Sequence, residues 1–147
     1  MSVPAYVTLT GPQTTVIVVT FSVASGAAAG TIINGTIYPF GANQPGVSAV
    51  TVPSTEVWSI VSMYTLSTYT PDAQVLLYVN GYQQDIMPTL NSVYINNYNM
   101  WKMKEAFKLP PTATWNVNIV LLGTSSSAQT YYLYLSVVRA PYIPTRR

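Results

Sequence analysis

Trp115, Val117, Ile119 and Leu121 are separated by single residues that include Asn116 and Asn118, and Tyr131, Leu133, Leu135 and Val137 are separated in the same way by Tyr132, Tyr134 and Ser136. A period of two sends successive side chains to opposite sides of an extended chain. Each segment therefore reads as a strand with one face in a core and the other turned outward, as in an antiparallel sheet. The same reading places strands near Ala5 to Thr10, Thr14 to Val23, Gly30 to Tyr38, Val47 to Val52, Glu56 to Thr68 and Ala73 to Val79, with a short one near Val93 to Asn96. With Thr114 to Leu122 and Thr130 to Val138, the chain is all-β.

Turn chemistry punctuates these runs. Asn80-Gly81 follows a strand, and Asn34-Gly35 lies inside the Gly30 to Tyr38 run; such pairs accept the positive φ angles of tight hairpins. Asn34-Gly35 is read as a turn that splits its run into a small hairpin, although Asn34-Gly35-Thr36 is also a glycosylation sequon. One segment, Asn99 to Leu109, has Met100, Met103, Lys104 and Phe107 at helical offsets and reads as one or two helical turns closed by Pro110-Pro111.

Charge is scarce throughout the sequence. No formally charged side chain occurs between Met1 and Thr55, and the 147 residues hold six Lys/Arg, four Asp/Glu, no His and no Cys. Ser, Thr, Asn, Gln and Tyr supply the polarity instead, and neutral groups of that kind cost far less to bury against a neighbour than ions do. The formal net charge of +2 is too small, and its basic residues too scattered, for sequence-specific nucleic-acid binding. Protonating all four carboxylates would take the charge only to +6, with no histidine switch, so the fold is expected to tolerate acid.

Thr14 to Ile33 is uncharged and long enough to span a bilayer. Its Val16 to Val23 core is β-branched and aromatic, and Gly26 and Gly30 interrupt the apolar run after Val23, so a buried strand and a small-residue loop are expected. Membrane contact without spanning stays open. Met1-Ser2-Val3-Pro4 has no basic n-region of a secretory signal.

The composition also removes most catalytic reagents. Without His or Cys there is no Ser-His-Asp or Cys-His arrangement and no ordinary zinc site. The carboxylates available for a glycosidase pair are Glu56, Asp72, Asp85 and Glu105, and Asp72 and Asp85 read as turn residues. No enzyme activity, metal or cofactor is expected. What remains is aromatic: 12 Tyr and three Trp. Rings serve interfaces and also stack on sugars. Tyr82, Tyr94, Tyr98 and Trp101, with Gln83 and Asn97, are the candidate ligand or interface set, while Trp58, Trp115, Tyr64 and Tyr78 are expected to fill the core.

Val57-Trp58-Ser59-Ile60-Val61-Ser62-Met63-Tyr64 is apolar on both faces, which points to a further layer over the outer side of its sheet, expected to be another subunit. Val52-Pro53-Ser54-Thr55-Glu56-Val57-Trp58 leads into this strand, Gln74 to Gly81 makes the next strand and turn, and Tyr131 to Val138 is a late strand. With the charge-poor, Tyr-, Thr- and Val-rich composition, the layout resembles the single jelly-roll capsid and turret proteins of viruses that infect hyperthermophilic, acidophilic archaea. The resemblance implies a single jelly-roll β-sandwich of about eight antiparallel strands in two sheets, spanning residues 1–147 with short N- and C-terminal arms. It implies a virion structural subunit, stable to heat and acid, with homo-oligomeric and other virion partners. Val3, Tyr6, Val7 and Leu9, and Tyr142 and Ile143 at the other end, are the candidate assembly arms. A host-surface or carbohydrate-binding module with a glycan partner, or an extracellular filament subunit, is the alternative; the location is then the extracellular surface.

Overall fold

The computed structural model describes residues 11–41, 43–84, 87–95 and 101–142, with the backbone alone for 101–105. The expected strand at Ala5 to Thr10, the arm residues Val3, Tyr6, Val7, Leu9 and Ile143, and Tyr98 lie outside them. Ten strands occur among the described residues: β1 (Gln13–Val23), β2 (Ile32–Asn34), β3 (Thr36–Tyr38), β4 (Val50–Thr51), β5 (Glu56–Tyr64), β6 (Ala73–Val79), β7 (Tyr82–Gln83), β8 (Trp101–Leu109), β9 (Thr114–Leu121) and β10 (Gln129–Pro141). They form one sheet of order β3-β1-β10-β5-β8 and a second of order β2-β9-β6-β7, in which β4 also pairs with β9.

Leaving aside the short β3 and β4, the pairings nest: β1 with β10, β2 with β9, β5 with β8, and β6 with β7. The chain behaves like one long hairpin closed at Asn80-Gly81 and rolled into two facing sheets. That order is a single jelly roll, as the resemblance implied. At the closing turn Asn80 has φ 52° and Gly81 φ 82°, and Val79 pairs directly with Tyr82, so the Asn-Gly pair makes the two-residue turn its chemistry favours.

Alternation decides what enters the core. Ile17, Val19, Phe21 and Val23 of β1 face Val117, Ile119 and Leu121 of β9 across the layers, joined by Tyr131, Leu133, Leu135 and Val137 of β10. Trp58 from one sheet and Trp115 from the other meet edge to face, with centroids 6.4 Å apart and planes at 68°. The Trp58 indole N–H donates to Glu56 Oε1 at 2.8 Å, whereas Trp115 Nε1 is buried without a hydrogen-bond partner.

Four expectations are corrected. Asn34-Gly35 is no turn: β2 pairs with β9 and β3 with β1, so the chain passes from one sheet to the other at Gly35, whose N–H donates to the Val117 carbonyl at 2.9 Å. A Cβ there would run into that carbonyl oxygen and come within 2.6 Å of Val19 Cγ1 and 2.9 Å of Phe21 Cε1, so glycine is required for close approach. Asn34 itself is exposed. The segment read as helical is strand β8 over Trp101–Leu109, because its spacing also fits a period of two and β5 supplies a ladder partner. The strand expected near Val93 is a single 3-10 turn, Asn91–Val93, held by the Asn91 side chain, which exchanges hydrogen bonds of 2.7 and 2.8 Å with the Tyr69 backbone. Tyr64 and Tyr78 are only half-buried, and the core tyrosine is Tyr131.

Thr14 to Ile33 becomes strand β1 and the loop after it. No helix among the described residues is long and apolar enough to cross a membrane.

Gly35→Val is expected to cost about 3 kcal/mol in urea unfolding, since neither the carbonyl nor two core side chains can retreat without opening the crossover. Trp115→Phe is expected to cost less than Trp58→Phe, because the first removes an unsatisfied donor and the second strips a donor from buried Glu56. Parallel urea titrations of the two variants measure the difference.

Candidate interaction surface

The outer face of the β3-β1-β10-β5-β8 sheet is built by the residues that alternate with the core. Ladder register sets them in rows across the strands. Tyr38, Val18, Tyr134 and Tyr64 form one row over β3, β1, β10 and β5. Thr36, Thr20 and Tyr132 form the next. In the opposite direction the rows become small: Val16 with Ser136 and Ser62, then Thr14 with Val138 and Ser59, then Ala140 with Val57. A register shift beside Val61 on β5 brings Ser62 and Tyr64 onto this face.

No outward residue of β1, β3, β5 or β10 carries a formal charge. On the edge strand β8, Lys102 and Lys108 pair with the outward Ser62 and Ser59, and Lys108 is exposed. Burial first, and then the neighbouring Tyr69, Tyr64 and Tyr132, push the Tyr134 phenol above its ordinary value, so it too stays neutral. Val16 is 46% exposed and Tyr132 42% exposed, and the remaining rows are mostly half-buried.

The Tyr64 and Tyr134 rings stack with centroids 5.2 Å apart and planes at 10°. That spacing is close to the ~4.8 Å between neighbouring strands, so the two rings stand side by side, each covering one face of the other. The outer face of the other sheet mixes amides and apolar groups: Asn34, Asn116, Asn118, Gln74 and Gln83 stand there with Ile32, Val120, Leu76 and Tyr78.

Two clusters fix the ends of the outer-face strands. At one end, Tyr69 stacks on Tyr131 with centroids 4.3 Å apart, and its hydroxyl accepts the Tyr132 N–H at 3.0 Å. Tyr131 donates to the Pro71 carbonyl at 2.6 Å; burial first, then Asp72 and Tyr69, hold its phenol above the ordinary value and keep that proton in place. At the other end, Arg139 Nε and Nη2 reach Glu56 Oε1 and Oε2 at 2.9 and 3.0 Å, and the guanidinium lies 5.4 Å from the Trp58 ring centroid. Glu56 is 2% exposed and Arg139 13%. Burial alone would raise the Glu56 carboxyl, but the hydrogen bonds from Arg139 and Trp58 and the Arg139 charge together outweigh it and lower the pKa below its ordinary 4.5.

Of the aromatic set expected from the sequence, Tyr98 lies outside the described residues, Tyr94 and Trp101 pair with Thr65 and Met63 at one end of β5, and Tyr82 stands apart from them. Tyr82, 76% exposed, sits on the β6–β7 hairpin, whereas Tyr94 bridges Thr65 near Leu90 and Ala73, at the far end of a strand about 20 Å long. Trp101 stands opposite Met63 in the ladder. Tyr142, 45% exposed, donates its N–H to the Thr55 carbonyl at 2.8 Å, which aligns the C-terminal segment with the start of β5. Reasoning from sequence missed the Tyr38–Val18–Tyr134–Tyr64 row; alternation had already turned Tyr132 and Tyr134 outward, but their row partners depend on ladder register.

Asp72 accepts the backbone N–H groups of Ala73 and Asn91 at 2.8 and 3.0 Å, and Glu56 is engaged at the opposite end of the sandwich. Among the described residues no group of three or more His, Cys, Asp or Glu is placed to hold a metal ion.

No protein-family model and no curated protein matches the chain. Among solved structures it is similar to part of the Podospora anserina GH26-CBM35 β-(1,4)-mannanase, at 12% identity and a TM-score of 0.36, over 92% of this chain and 29% of that one. At that TM-score nothing about function transfers.

A carboxylate lowered in the folded state stabilises it above the ordinary carboxylate value, and that stability is lost as pH falls through the folded pKa. Thermal unfolding is therefore expected to be flat from pH 7 to about pH 5 and to soften below about pH 4. In Glu56→Gln the acid-side decline should shrink, on a baseline lowered by about 3 kcal/mol at pH 7 because Arg139 loses its buried partner.

Proposed function

We propose that the chain is a virion structural protein, a subunit of a capsid shell or of a vertex turret, which assembles through its sandwich faces and edges. The observation that carries this reading is the outer face of β3, β1, β10 and β5, which carries no formal charge and is built mostly from Val, Ser, Thr and Tyr, with the lysines of this sheet confined to the edge strand β8. Neutral hydroxyls and β-branched side chains lose little on burial, so such a face is suited to repeated contact in a particle. The single jelly-roll order and the resemblance in composition add support by analogy.

In this reading the chain has no catalytic duty and works within the virion, with copies of itself and other shell proteins as partners. Sheet edges at β8, β3 and β7 are protected by neighbours, and residues 1–10 and 143–147 serve as arms. The lowered pKa of Glu56 keeps its pair with Arg139 ionised further into acid than an ordinary carboxylate would.

Light scattering on a size-exclusion column at pH 7 and pH 4 tests this. The expected result is a defined oligomer at both, with its mass reduced by deletion of residues 1–10 while the circular dichroism of the subunit is retained. A monomer under both conditions overturns the assembly reading.

A further inference from the structure

We infer that residues 5–10 of a neighbouring copy of this chain add as a strand to the open side of β1 over residues 13–17. The inference rests on the assembly reading above and names the edge and the segment that meet.

Ladder parity defines the edge. Ile37 donates its N–H to the Val47 carbonyl at 2.7 Å and accepts the Val47 N–H at 2.8 Å, so both its backbone groups turn away from β1. Exchanging residues alternate along an antiparallel ladder, so Thr36 and Tyr38 are the ones that bond to Thr20 and Val18. Val18 and Thr20 thus aim their backbone groups toward β3, and along the unbroken register of β1 so do Thr14 and Val16. The β3 ladder stops at Val18, and the N–H and C=O groups that Thr14 and Val16 aim to this side find no partner among the described residues. Such a row of unpaired groups is what an added strand binds.

This corner of the sandwich also lacks cover. Ile17 is fully buried, but Thr15 on the same inner side is half-buried and Gln13 is exposed, and the outward Thr14 and Val16 are exposed. The other long edge of the sheet, β8, includes Lys102, Lys104 and Lys108, and lysine discourages strand addition.

The occupant follows from pattern and register. Ala5, Val7 and Leu9 alternate with Tyr6, Thr8 and Thr10, without a charge, and the strands of this sheet likewise turn aliphatic residues inward and set Tyr and Thr among those outside. Pairing Thr10 with Thr14 and Thr8 with Val16 uses every open group and sends Leu9 and Val7 inward beside Thr15 and Ile17. The same chain cannot reach that register through a hairpin. Its loop would be Gly11-Pro12-Gln13, whose usual form needs a left-handed last residue, and Gln13 is an ordinary strand residue. A second β1 fits poorly as well: setting Thr14 against Val16 about a two-fold places Pro12 opposite Val18, where Tyr38 already sits. The strand therefore comes from the N-terminal segment of a neighbour.

Val16→Pro removes an open N–H and leaves the β10 ladder its donors, because proline is tolerated where a strand N–H faces away from its sheet. Association should weaken at least tenfold in sedimentation while circular dichroism stays unchanged, and Thr14→Pro, nearer the start of the strand, is the milder second variant. The chain has no cysteine, so introduced thiols report only on each other. A chain carrying both Thr8→Cys and Val16→Cys, treated with a short bis-maleimide, should give a ladder of dimers and longer species on a denaturing gel. The yield should exceed that of Thr8→Cys with Asn118→Cys at least tenfold. If the unmodified chain forms oligomers but both proline variants keep their mass, or the Thr8 and Val16 thiols link only within one chain, the strand addition is overturned and the assembly reading survives. A monomeric unmodified chain overturns both.

Discussion

Two sheets sharing one apolar layer leave each strand a single permitted register. Ile17, Val19 and Phe21 of β1 are completely buried while Val16, Val18 and Thr20 are not, so a one-residue slip would turn the whole inner set outward. The same constraint binds β9 and β10. It reaches the crossover as well: the chain between β2 and β3 can change sheets only where Gly35 lets the backbone touch Val117, Val19 and Phe21. The register shift at Val61 lets Met63 stay inward while Tyr64 and Tyr134 stack outside.

Much of this was legible because burial imposes a period of two. The ends of β6, the inward sets of β9 and β10, the core roles of Trp58 and Trp115 and the Asn80-Gly81 turn are all dictated by local chemistry. The features that stayed hidden depend on partners far along the chain. Met103 and Phe107 satisfy a helical spacing and a strand spacing equally, and only the ladder with β5 separates the two. Glycine after asparagine serves a hairpin at Gly81 and a close approach at Gly35, two physical needs with one spelling. Tyr131 and Tyr64 are both tyrosines in strands; one is buried because Tyr69 and Pro71 receive it, the other is outward because a bulge precedes it. The outer rows were half visible, since alternation gives the face of a residue but never its neighbour on the next strand.

Glu56, Arg139 and Asp72 stand where neutral groups would not serve. Glu56 and Arg139 join β5 to β10 at the end where the C-terminal segment leaves, and the Trp58 ring lies between the ion pair and the core. A bidentate pair with a further indole donor leaves the carboxylate well satisfied despite its burial. Asp72 acts differently, holding the amides of Ala73 and Asn91 so that the Tyr69 loop closes over Tyr131.

The nested pairing has a consequence for how the molecule is made. Gln13 is laddered to Arg139 and Val23 to Gln129, so β1 waits for a strand that is made more than a hundred residues later. Contacts of such long sequence separation fold slowly, because the loop between them must be closed before the ladder can form. Until then the Val16 to Val23 strand has neither its sheet partner nor its core, and it is the segment that a chaperone or an early neighbour would have to shield from aggregation.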